Sequence, residues 1–186
     1  MFSTLQRLNL VTAFALSVIS VVLSVIALTG LQIGEPFCTM KINKADIVFG
    51  RARWHADRRM QQFVETRLDL DLDLRPLFNW NTKQVFLSLT ASYESPRRGK
   101  NDIVIWDKIV RCEQDALMRI QNMPNKYGMR DYLKSFDNVT AVDYRVEWNV
   151  MPYVGFMQRG VTERSKPFML AHETTSGGQK PKLMPY

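Results

Sequence analysis

The chain has 186 residues, 46% of them hydrophobic, and carries 25 Lys and Arg against 18 Asp and Glu for a formal charge of +7. That length accommodates one membrane segment and one domain of ordinary size. The basic surplus is moderate and spread along the chain, which suits a face turned to anionic lipid headgroups, or a merely soluble basic surface, and argues against a nucleic-acid groove.

The first predicted element is the uncharged run 8–34, rich in Leu, Val, Ile and Ala, with Arg7 the one charged residue before Glu35. As a helix it would be roughly 40 Å long, enough to cross a hydrocarbon core of about 30 Å with some tilt. A cleaved signal peptide has an apolar stretch of roughly 7 to 15 residues, so this longer run is expected to remain as a signal anchor. Residues 1–7 would be a cytosolic tail, 8–34 the transmembrane anchor, 35–173 a lumenal domain and 174–186 a flexible or docked tail. The positive-inside rule objects to this orientation, because Lys41, Lys44, Arg51 and Arg53 follow the span. Long domains, however, translocate largely regardless of charge.

A first strand is expected over 40–48. Residues 50–62, with Arg51, Arg53, Arg58 and Arg59 around Trp54, read either as a membrane-facing loop or as a solvated hairpin. In 63–74 the pattern is plain: Leu68, Leu70, Leu72 and Leu74 alternate with Asp69, Asp71 and Asp73, making one strand face apolar and the other acidic. Three carboxylates invite a metal, but alternate strand residues stand about 7 Å apart and no ligand loop accompanies them. A face solvated or paired with Lys and Arg is the better account. Further strands are predicted over 84–93 and 103–110, with a turn over 95–102 between them. Residues 113–121 have Ala116, Leu117 and Ile120 at helical spacing before Pro124, so a short helix or helical turn is expected to interrupt the strands there. Strands resume over 139–151. The fold class is therefore mainly β: one N-terminal transmembrane helix followed by a β-sandwich lumenal domain with a short helical insertion.

Chemistry is sparse. A Ser/His/Asp or Cys/His mechanism needs a histidine beside its nucleophile, and the two available, His55 and His172, fall in the arginine-rich connector and at the start of the tail. There is no Gly-rich phosphate loop, HExxH or paired cysteine motif, so no catalytic residue, cofactor or metal is assigned. Cys38 and Cys112 leave a disulfide and two free buried thiols both open. Asn138-Val139-Thr140 is a glycosylation sequon placed just before a strand, where a loop would expose it to the lumen.

Three segments carry a resemblance: 78–86 (FNWNTKQVF), 105–110 (IWDKIV) and 148–152 (WNVMP). Together with the short tail, the anchor and the sequon, they resemble the third, non-catalytic subunit of the eukaryotic signal peptidase complex. The likeness runs over about residues 2–155, while 50–62 and the tail after Gly160 depart from it. It implies a single-pass type II protein of the endoplasmic reticulum membrane, with a β-sandwich in the lumen. It also implies assembly with the catalytic and other membrane subunits, support for removal of signal peptides from nascent preproteins, and contact with the lipid bilayer but not nucleic acid. Trp80, Trp106 and Trp148 are expected as core residues, and the polar loop with Asn79, Asn81 and Lys83 as an exposed partner interface. Two other classes stay open: a lumenal binding module of a different translocon-associated complex, and a self-sufficient membrane hydrolase.

Overall fold

The computed structural model describes residues 3–50, 60–95, 99–133, 135–136 and 138–170, and the backbone of Arg51, Lys182 and Leu183. Its first element, α1, is Thr4–Thr29, long and apolar enough to cross a membrane. None of its side chains is buried against the rest of the chain, as a core helix of a soluble domain would require. Its hydroxyls turn back onto the helix: Thr12 to Leu8 O at 2.9 Å, Ser20 to Leu16 O at 2.8 Å and Ser24 to Ser20 O at 2.8 Å. With Ser17 on Phe14 O and Thr29 on Ile26 O, every hydroxyl of α1 from Leu8 onward is paired to its own helix, as lipid demands. The helix is shorter than the apolar run, because Gly30 caps it and residues 31–34 uncoil to meet the domain.

Among the described residues nine strands follow: β1 Phe37–Arg51, β2 Gln61–Asp73, β3 Thr82–Ser95, β4 Gly99–Val110, β5 Leu117–Pro124, β6 Ala141–Pro152, β7 Gln158–Arg164, β8 Phe168–Met169 and β9 Lys182–Leu183. One sheet runs β5-β2-β1-β9 and the other β4-β3-β6-β7, with β8 also on β6. Between them lies one apolar layer. Leu68, Leu70 and Leu72 of β2 meet Leu87, Leu89 and Ala91 of β3 and Val142, Tyr144 and Val146 of β6 there, all essentially inaccessible. The period-two pattern of β2 produces this face directly, since each leucine points in and each aspartate out. Each leucine so buried contributes about 1.5–3 kcal/mol. Two buried pairs place polar atoms in the layer: Thr66 Oγ1 lies 2.9 Å from Tyr144 Oη across the sandwich, and Tyr93 Oη donates to Asp131 at 2.7 Å.

Two expectations are sharpened. Of the short helix or helical turn expected over 113–121, it is the turn that forms, a 3-10 turn at Glu113–Asp115, after which β5 forms the edge of the first sheet beside β2. The helical spacing of Ala116, Leu117 and Ile120 arises because Ala116 closes that turn and Leu117 opens the strand with its side chain exposed. Further along β5, Leu70 pairs with Ile120 but Leu68 with Met123, so an extra residue bulges at Gln121–Asn122. Asn122 takes φ +50° there, and Asp69 accepts its N–H at 2.7 Å. The turn expected over 95–102 is also tighter, because β3 and β4 pair out to Ser95↔Gly99. Residues 53, 54, 58 and 59 of the arginine-rich connector lie outside the described residues. The strands flanking it pair up to Gly50↔Gln61.

Candidate functional site: the two ends of β6

The chain leaves α1 through close contacts with the domain. Asn81, 2% exposed, donates from Nδ2 to Val154 O at 2.8 Å and accepts Val154 N–H on Oδ1 at 3.1 Å. Its own carbonyl takes Tyr153 N–H at 2.8 Å. The same amide presses on the helix end, where a Cβ at Gly30 would fall 2.8 Å from Asn81 Nδ2. Gln158 Nε2 donates to Gly30 O at 2.8 Å, and Gly34 N–H to Pro76 O at 3.1 Å. Gly155, at φ +112°, lets the β6–β7 loop lie against the helix, since its Cβ would stand 3.1 Å from that of Ala27. These ties replace a free linker, so the sandwich is fixed in orientation to α1.

The loop expected to be exposed is therefore exposed only in part. Asn79 forms an Asx turn, its Oδ1 accepting Asn81 N–H at 2.9 Å, and Thr82 Oγ1 lies 3.0 Å from the same oxygen. Asn81 is buried, and of the three residues Lys83 is the exposed one. The expectation for the tryptophans divides too. Trp106 and Trp148 pack on the core, with Gly160 making room for Trp148, whose Cζ2 would be 2.5 Å from an added Cβ. Trp80 is 68% exposed and is not a core residue. Its loop lies outside any strand, so no alternation signalled which way it points.

At the other end of β6 stands the sequon. Val139 is buried and donates its N–H to Phe136 O at 2.9 Å, while Asn138 and Thr140 on either side are exposed. The twelve residues of β6 place this end roughly 40 Å from the helix junction.

Between the ends, five acidic side chains are engaged by neighbours: Asp69, Asp71, Asp73, Asp102 and Asp107. Asp71 pairs with Arg119 at 3.0 Å, Asp73 with Arg75 at 2.5 Å and Asp107 with Lys126 at 2.7 Å. Asp69 is held by Asn122 N–H and by Asn43 Nδ2 at 2.8 Å, which pull its carboxyl below the usual range. Arg145 ties β6 to β4 and β3 through Asp102 at 2.8 Å and Ser92 at 3.0 Å, and also pairs with Glu147. Asp102 is lowered by Arg145 first and Ser92 second. Among the described residues, no three of His, Cys, Asp and Glu gather as a metal ion would need. Both cysteines are free: Cys112 is exposed, and burial pushes the Cys38 thiol up to about 12. His55 and His172 lie outside the described residues.

Comparison with known proteins follows the same outline. A family model described as signal peptidase subunit matches residues 1–173, from the apolar helix through β8. The protein named signal peptidase complex subunit 3 of Debaryomyces hansenii is 39% identical over 62% of this chain, and that of Saccharomyces cerevisiae 37% over 61%. In both cases the match spans 60% of the relative's own length. The Yarrowia lipolytica protein of the same name is 30% identical over 89% of this chain and 95% of its own. The chain belongs to the signal peptidase subunit family.

Proposed function

We propose that the protein is a non-catalytic accessory subunit of the signal peptidase complex in the endoplasmic reticulum membrane. It supports a separate catalytic subunit in removing signal peptides from nascent preproteins. The observation that carries this reading is the family match over 1–173, which runs unbroken from the anchor through the sandwich. In this reading α1 is a type II signal anchor with Arg7 in the cytosol, and the sandwich stands in the lumen, where Asn138 receives an N-linked glycan. A basis for the supporting role is the junction itself. A domain stapled to its anchor by Asn81, Gln158 and Gly155 presents fixed surfaces to neighbouring subunits and to the preprotein. The pairs Asp71–Arg119 and Asp102–Arg145 serve strand pairing rather than standing in reserve as acid or base.

Depletion tests this role. Loss of the protein should make uncleaved preproteins accumulate and lower the amount of assembled complex recovered in mild detergent. Replacing His55 and His172 together by Gln should leave cleavage nearly intact, because neither transfers a proton. Normal processing after thorough depletion would remove the signal peptidase assignment. Lost cleavage with intact assembly in the double variant would remove the non-catalytic one.

A further inference from the structure

The helix-proximal rim of the sandwich carries four large side chains that nothing among the described residues covers. Trp80 is 68% exposed, Tyr153 69%, Phe156 82% and Met157 60%. They come from two loops brought together by the pairing of Thr82 with Pro152, one entering β3 and one joining β6 to β7. Their level relative to α1 is set by contact. Gly155 lies against Ala27, two residues short of the helix end. The uncharged part of α1 from Leu8 to Thr29 is about 33 Å long, close to the roughly 30 Å of a hydrocarbon core. With Arg7 in one headgroup layer, Thr29 reaches the other, and Gly155 sits at the boundary between acyl chains and headgroups.

We propose that Trp80, Tyr153, Phe156 and Met157 seat in the interfacial layer of the phospholipid bilayer that α1 crosses, with Lys83 and Arg159 at the phosphates. Sequence order fits this depth. In each loop an exposed aromatic is followed three residues later by an exposed cation just inside the next strand, Trp80 by Lys83 and Phe156 by Arg159. Aromatic rings with basic residues behind them are the side chains that prefer a membrane–water boundary. A second, independent feature is the backbone. A loop can enter a low-dielectric layer only if its peptide groups are paired. Asn81 pairs Tyr153 N–H and both polar groups of Val154, and Gln158 pairs Gly30 O. The buried amide of Asn81 thus acquires a reason: it pairs the peptide groups of Tyr153 and Val154 where the loop begins, from inside, leaving the side chains of Tyr153 and Phe156 outward.

The proposal rests on α1 crossing the bilayer, and its test separates the two claims. Full-length chain with Cys112→Ser is labelled with an environment-sensitive fluorophore at Phe156→Cys, Val18→Cys or Asn138→Cys, and reconstituted into nanodiscs. Phospholipids with a quencher near the headgroup or deep in the acyl chain are compared with aqueous iodide. The Phe156→Cys label should lose most of its emission to the shallow lipid quencher and little to iodide. The Val18→Cys label should respond to the deep quencher, and the Asn138→Cys label to iodide alone. Iodide quenching at Phe156→Cys equal to that at Asn138→Cys overturns the docking while leaving the span intact. Protection from both quenchers also overturns it, in favour of a protein partner on the rim. A Val18→Cys label untouched by lipid quenchers overturns span and docking together.

Discussion

The two ends of β6 differ in almost every respect, although one strand joins them. At Pro152 the chain turns back through buried Asn81 and close-packed Gly155, and what it shows outward is aromatic and apolar. At Ala141 it arrives through the sequon, where Asn138 and Thr140 are exposed and Val139 between them turns into the core, from a loop that buries Phe136 and exposes Tyr132 and Leu133. On the proposed seating, the contrast teaches that orientation to a membrane is written into the domain as well as into the helix. One end is held against α1 by its own hydrogen bonds, and the other leaves the sequon to solvent.

That contrast requires a rigid body between the ends, so the largest effect should come from its middle. Leu70→Asp places an unpaired carboxylate in the inter-sheet layer and should cost about 4 kcal/mol or more, enough to unfold the domain. Its neighbour is the control. Asp71→Asn removes one partner of an exposed ion pair with Arg119 and should change stability by no more than about 0.5 kcal/mol, read from denaturation of the full chain in detergent. Equal damage from both would break the account of the strand faces.

Next in size is the junction. Asn81→Ala leaves Val154 N–H and C=O without partners and should lower stability by about 2–3 kcal/mol. Lys83→Ala beside it should leave stability nearly unchanged. If the two substitutions are alike, the loop is not held from inside. A smaller effect is expected from pH. Arg145 and Ser92 hold the Asp102 carboxyl below its unfolded value. Its contribution is therefore fully present above about pH 4 and is lost as pH falls through the lower folded value. Asp102→Asn should flatten the acid limb of stability below pH 4 and leave the neutral region with a modest uniform loss. The smallest effect belongs to the far end. Asn138→Gln should not alter stability, yet should abolish the gain in gel mobility that glycosidase gives the wild type.

Much of this molecule is legible in its sequence where alternation is unbroken. Leu68 to Asp73 announces both faces of β2, and the strands around Leu87 and Val146 read the same way. What hides the rest is local. The bulge at Asn122 shifts the phase of β5, so that Met118 and Met123 both face the core at a spacing no strand template matches. Asn81 looks like a loop residue in sequence, and only the return of the chain at Val154 makes it a buried clamp. Trp80 looks like a core residue for want of any period to place it. The sequon is legible in full, since its exposure follows from Val139 alone facing inward.

The measurement that bears most directly on the central claim is the side on which the far end of β6 stands. Asn138→Cys in the Cys112→Ser chain removes the sequon and puts one reactive thiol there, while Cys38 is shielded by burial and a thiol pushed up to about 12. A membrane-impermeant maleimide is applied to sealed microsomes and to microsomes opened with detergent. The account predicts labelling only after opening. Labelling of the sealed vesicles would place the domain in the cytosol and contradict it.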